Sequence, residues 1–124
     1  MQLKASITRE LSVDFIDGIF VTAFEGGINY WCDHAVSQYE GEHVVSTKLH
    51  YKEDEDEPKT TEVSVDTAAV VDALTKIIEG IYQCRVDLRE AITRAVFDLD
   101  AGNIDADCAD VVVQYAAFKE LVYG

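Results

Sequence analysis

FEGGINYWCDH, residues 24–34, is the stretch where one hydrophobic pattern stops and another begins. Upstream, Phe15, Ile16, Ile19, Phe20, Ala23 and Phe24 recur at the spacing that lines one face of a helix, which predicts a helix over 11–24. Ser12 is placed to cap it, and Asp14 in its first turn suits the helix dipole. Gly18 weakens its middle. Gly26 or Gly27 is expected to end it in the left-handed conformation that glycine adopts without steric cost. Downstream the pattern turns to strands. If residues 29–31 are extended, Tyr30 and Trp31 point to opposite sheet faces, one to the core and the other outward.

Working outward, Val45, Thr47, Leu49 and Tyr51 alternate with Ser46, Lys48 and His50, the signature of a half-buried strand, and Val63 and Val65 repeat it. Between these runs lie Glu53, Asp54, Glu55, Asp56 and Glu57, followed by Pro58; five adjoining acids repel one another and cannot be buried, so an exposed hairpin loop is expected. Tyr39–Glu42 with Gly41 forms the other turn. The strands are expected near 28–37, 43–52 and 59–65, as an antiparallel meander. Asp66 then caps a second helix with Val70, Leu74, Ile77, Ile78 and Ile81 as its stripe and Gly80 at its end. Asp87 and Glu90 read as a capping box for a third, in which Leu88, Ile92, Ala95 and Leu99 share a face and Gly102 closes the element. Asp105 or Asp107 starts the last, with Val111, Val112, Tyr115, Phe118 and Val122 as its core side. The expected fold is α+β: one domain over 1–124, a three-stranded antiparallel sheet with about four helices on one face.

The chain has 124 residues and is 48% hydrophobic, enough to bury a core. No apolar run approaches the roughly 18 residues that span a bilayer, and Met1–Ser6 shows no apolar secretory region, so a cytoplasmic, soluble protein is expected. Cys32, Cys84 and Cys108 make no disulfide framework. The formal charge of −14, from 24 acidic and 10 basic side chains, repels nucleic acid and anionic lipid and attracts basic surfaces.

Chemistry-bearing patterns are sparse. Cys32 and His34 lie two apart, but no paired ligand spacing completes a zinc site, so neither metal nor cofactor is expected. Asp98, Asp100, Asp105, Asp107 and Asp110 gather at the junction of the last two helices; they lack calcium-loop spacing, and helix capping accounts for them. Cys84 beside Arg85 has no histidine near it in sequence to make a nucleophile. Arg85, Arg89 and Arg94 can form a small positive strip but are expected to pair with neighbouring acids. No phosphate loop, Rossmann pattern or nucleophile elbow is present, and no catalytic residue is assigned. The chain reads as a non-enzyme.

Two stretches carry a resemblance. Glu25-Gly26-Gly27-Ile28-Asn29-Tyr30-Trp31 resembles an EGG-x-NYW motif in a family of small proteins of tailed bacteriophages. Ala109-Asp110-Val111-Val112-Val113-Gln114 and Phe118-Lys119-Glu120-Leu121-Val122-Tyr123-Gly124 resemble that family's ADV-x-x-Q…FGELVYG ending, with Lys119 standing where the family has glycine. The resemblance implies a phage or prophage origin and a place in a bacterial host cytoplasm; it implies no activity.

Three functional expectations follow. The first is an anti-defence inhibitor, of the kind that blocks a CRISPR–Cas effector, in which Glu53, Asp54, Glu55, Asp56, Glu57, Asp100, Asp105 and Asp107 stand in for phosphates on a basic host protein. The second is a small-ligand binder, a sponge for a nucleotide signal, using Glu25, Asn29, Tyr30 and Trp31. The third is a structural homo-oligomer assembled through the open sheet face.

Overall fold

A computed structural model describes residues 10–54, 56 and 58–124; Glu55, Glu57 and the opening Met1–Ser6 lie outside the described residues. The element order is α1 (Val13–Thr22), a π-helical turn (Ala23–Gly27), β1 (Cys32–Glu40), β2 (His43–Tyr51), β3 (Thr61–Asp66), α2 (Thr67–Ile78), α3 (Val86–Asp98), a 3-10 turn (Ala101–Asn103) and α4 (Ala106–Phe118). The fold is α+β, with an antiparallel sheet in the order β1-β2-β3 and four helices on one side of it.

Local chemistry sets the helix starts. Ser12 accepts from the Phe15 amide at 3.2 Å, Asp66 from Ala69 at 2.7 Å and Asp105 from Cys108 at 2.8 Å, each satisfying an amide that the helix itself leaves open. Asp87 does not cap α3. Arg85 holds the cap position without a side-chain bond, and Asp87 instead receives two hydrogen bonds of 2.8 Å from the Arg85 guanidinium.

Helix ends differ from the sequence reading. Neither Gly26 nor Gly27 is left-handed; α1 widens into the π turn, and Gly27 serves by being small. A Cβ there would stand 2.8 Å from the Ala106 carbonyl oxygen at the start of α4. Leu99, not Gly102, ends α3, with φ 52°, and Lys119 ends α4 with φ 62°. Beyond those residues the helical period no longer applies, so Leu99 and Val122 are exposed, and Ile81, past the left-handed Gly80, is exposed as well. Phe118 is only partly buried.

The first strand starts later than expected, because Ile28–Trp31 is a turn closed by Trp31 and Cys32 amides donating to the Ile28 carbonyl at 3.1 and 2.9 Å. Two register shifts between β1 and β2 leave one extra residue each, Asp33 on β1 and Val45 on β2. The second re-aims the pleat, so Val44 is buried while Val45 is not. Gly41, φ +64°, opens the two-residue hairpin loop between β1 and β2.

The core lies between the sheet and the helices. Thr47, Leu49 and Val65 face it from the sheet; Ile19, Phe20, Leu74 and Ile77 meet them. α4 runs through the centre, touching α1, α2, α3, β3 and the π turn, and is buried on nearly every side from Cys108 to Ala116. α3 packs on α2 and α4. β1 is exposed over most of its length beyond Cys32.

Candidate functional site

The two stretches that resemble the phage family meet in space. The Asp110 carboxylate, in the second turn of α4, accepts from Trp31 Nε1 at 2.8 Å, from the Tyr30 hydroxyl at 2.5 Å and from Gln114 Nε2 at 2.9 Å. Gln114, buried one turn further on, also donates to the Tyr30 oxygen and to the Tyr123 carbonyl, both at 3.2 Å. Its Oε1 accepts the successive amides of Val122 and Tyr123 at 2.9 Å each. Tyr123 stacks on Trp31, with ring centroids 5.2 Å apart and planes 2° from parallel, and Phe118 and Tyr51 close the other edges of the indole. These residues join the turn before β1, helix α4 and the segment after it into one polar and aromatic network. Asp110, which the sequence reading grouped with capping aspartates, is its hub.

Trp31 is core and Tyr30, 58% exposed, is the outward ring. The split arises from the turn rather than from strand alternation. The hydroxyl end of Tyr30 lies beside Gly124. Desolvation, and then the hydrogen bond to the Asp110 carboxylate, hold its pKa far above the ordinary tyrosine value. Among the described residues no buried side-chain nitrogen or oxygen lacks a partner, so the network is complete without a ligand. Trp31 has Tyr123 on its face, and Asn29 lines a separate cleft with Phe24, Cys32 and Tyr39. Tyr30, Trp31 and Asn29 therefore do not converge on one stacking site. Glu25 lies exposed in the π turn.

Acidic groups border the network. Asp33, Lys52, Tyr30, Trp31, Tyr123 and Gly124 line a cleft of about 390 Å³. The Glu53 carboxylate, where the acidic loop begins, lies close enough to raise the pKa of both Tyr51 and Tyr123. The Asp107 charge reaches Tyr30. Glu53, Asp54 and Asp56 are exposed, as are Asp100, Asp105 and Asp107. Asp100 and Asp105 do bond backbone amides, that of Gly102 at 2.9 Å and that of Cys108 at 2.8 Å. Glu53 thus lies near Tyr51 and Tyr123, and Asp107 near Tyr30.

The thiols are not poised for chemistry. Burial pushes Cys108 up to about 12 and raises Cys32 and Cys84, the latter against the opposing pull of Arg89. Arg85 is engaged by Asp87, and Arg89 donates to the Ile78 carbonyl at 3.0 Å. One group among the described residues brings metal-type donors together: Asp14, Asp17 and His43, whose ligand atoms lie within 4.8 Å of one another. Sequence spacing concealed it, because the histidine comes from the start of β2 and the carboxylates from α1. No helix among the described residues is long and apolar enough to cross a membrane.

No protein-family model, curated protein or solved structure matches the chain.

Proposed function

We propose that this chain is a phage-encoded accessory protein that binds a basic, nucleic-acid-handling host protein and blocks it, as an anti-defence inhibitor acting in the host cytoplasm. The observation that carries this reading is a negative charge left largely uncompensated at the surface. The excess is −14, and the Lys/Arg–carboxylate pairs among the described residues are Lys48–Glu62, Lys76–Asp72 and Arg85–Asp87. The proposed contact residues are Glu53, Asp54, Asp56, Asp100, Asp105 and Asp107, all exposed, together with the exposed Tyr30 ring. Carboxylates there take the place of phosphates on the partner's basic groove, and Tyr30 supplies an amphipathic anchor. Binding to a recovered host partner is measured across a salt series, with wild type beside a variant carrying Glu53→Gln, Asp54→Asn and Asp56→Asn. The reading requires affinity to fall steeply with salt and to drop in the variant; salt-independent binding overturns it.

A second reading rests on β1, an edge strand exposing Val36 and Tyr39 at 52% and 62%. Here the chain is a structural protein that self-associates along that edge. Light scattering of wild type and Val36→Lys separates the two readings: a monomer in both removes self-association.

A further inference from the structure

We propose that Asp14, Asp17 and His43 form a binding site for one divalent transition-metal ion. His43 Nδ1 stands 2.7 Å from Asp17 Oδ2 and 3.8 Å from Asp14 Oδ1. Ligands bound tetrahedrally at about 2.0–2.1 Å from zinc are about 3.3 Å apart, so the observed separations bracket the spacing that coordination needs. Two carboxylates and one imidazole favour zinc, manganese, cobalt or nickel over magnesium or calcium, which prefer oxygen alone.

The fold prepares these donors. Asp14 and Asp17 are three apart on α1 and so share a face. The other oxygen of Asp17, Oδ1, accepts the Val44 amide at 2.9 Å, which fixes the carboxylate and leaves Oδ2 directed at the ring. A hydrogen bond of this kind, made to the far side of a ligand, orients ligands in established metal sites. Among the described residues, the only ion-pair partner of either carboxylate is His43, and no lysine or arginine of those residues pairs with them. A bound cation balances the two carboxylates, at the cost of the Nδ1 proton. Asp14 is exposed and His43 partly so, which lets water reach the cluster and complete the coordination. The site is independent of the acidic face described above.

The test is calorimetric titration of zinc alone into the full chain after chelator treatment. One equivalent is expected to bind. His43→Ala and Asp14→Asn are each expected to weaken binding by about tenfold or more. Asp14 is exposed and holds no backbone group, so its variant keeps the assay interpretable if changes at Asp17 or His43 disturb the fold. The stacked pair His34 and His50, centroids 4.1 Å apart on the sheet's outer face, is the competing zinc locus, and a His34→Ala/His50→Ala variant is expected to bind as wild type does. Absence of binding, unchanged affinity in both His43→Ala and Asp14→Asn, or loss in the His34/His50 variant overturns the assignment.

Discussion

Trp31 Nε1 donates to Asp110 Oδ1 at 2.8 Å across 79 positions of sequence, and the same carboxylate holds the neighbouring Tyr30 hydroxyl. One aspartate thereby fixes both aromatics of the turn to α4. Asp110→Ala leaves the indole N–H without its acceptor in a partly buried setting, while Gln114 keeps the Tyr30 oxygen and the Tyr123 carbonyl. A loss of about 2–3 kcal/mol is expected in urea unfolding, with near-ultraviolet circular dichroism reporting a loosened Trp31. A loss within experimental error of zero would show that the network contributes nothing to stability.

Tyr30 gives a pH prediction whose sign is fixed by the same bond. Its folded pKa lies above its unfolded value of about 10. Its contribution to stability is therefore complete below that unfolded pKa and is lost as pH rises beyond it, because the unfolded chain ionises first. Absorbance titration at alkaline pH is expected to show a late-ionising group of tyrosines, Tyr30 among them with Tyr51, Tyr115 and Tyr123. In Tyr30→Phe the late phase should lose one tyrosine's amplitude.

Lys119 invites a stabilising change. It occupies the left-handed region at the end of α4, φ 62°, where a side chain costs about 1 kcal/mol relative to glycine. Lys119→Gly is expected to raise the midpoint of urea unfolding by the equivalent of about 0.5–1 kcal/mol, part of the gain being offset by the freer unfolded chain. Relief of the left-handed backbone at this position is the reason for the expected gain. An unchanged or lowered midpoint would count against that explanation.

Gly27 predicts the opposite outcome. Gly27→Ala drives a methyl group against the Ala106 carbonyl at a separation no relaxed contact has, and α4 is too firmly packed to retreat. A destabilisation of about 1–3 kcal/mol is expected from thermal and urea unfolding. Tolerance of the alanine would mean that the π turn and α4 can part freely.

Salt should stabilise the folded chain. Net charge of −14 in a compact body repels itself more than in an expanded one, and screening at 1 M salt, with a Debye length of about 3 Å, removes much of that repulsion. The thermal midpoint is expected to rise between low and high sodium chloride. A fall would show that attractive surface pairs outweigh the excess.

The parts of this fold legible in the sequence are those set by nearest neighbours. Ser12, Asp66 and Asp105 cap because a side chain three residues away supplies the acceptor, and Thr47 and Leu49 face the core because the pleat alternates. Periodicity carries no sign of where a helix stops, which is why Leu99, Val122 and Ile81 looked like core and are exposed. The turn at Ile28–Trp31 and the extra residue Val45 shift register by single residues, below the resolution of pattern reading. At the candidate face, the individual acids were legible from composition. The roles of Asp110 and Gln114 were not, since Asp110 depends on Trp31, 79 positions away, and Gln114 on how the segment after α4 folds back. His43 likewise meets Asp17 only through the hairpin that starts β2.

Gln114 holds Val122 and Tyr123 in the way one peptide group holds another: its carbonyl accepts two main-chain amides and its amide N–H donates to a main-chain carbonyl. A side chain has become a one-residue β-strand. Grip of that kind is blind to side-chain identity, so Leu121 and Val122, both turned outward, form a docked ribbon whose outer lettering can be rewritten without loosening it.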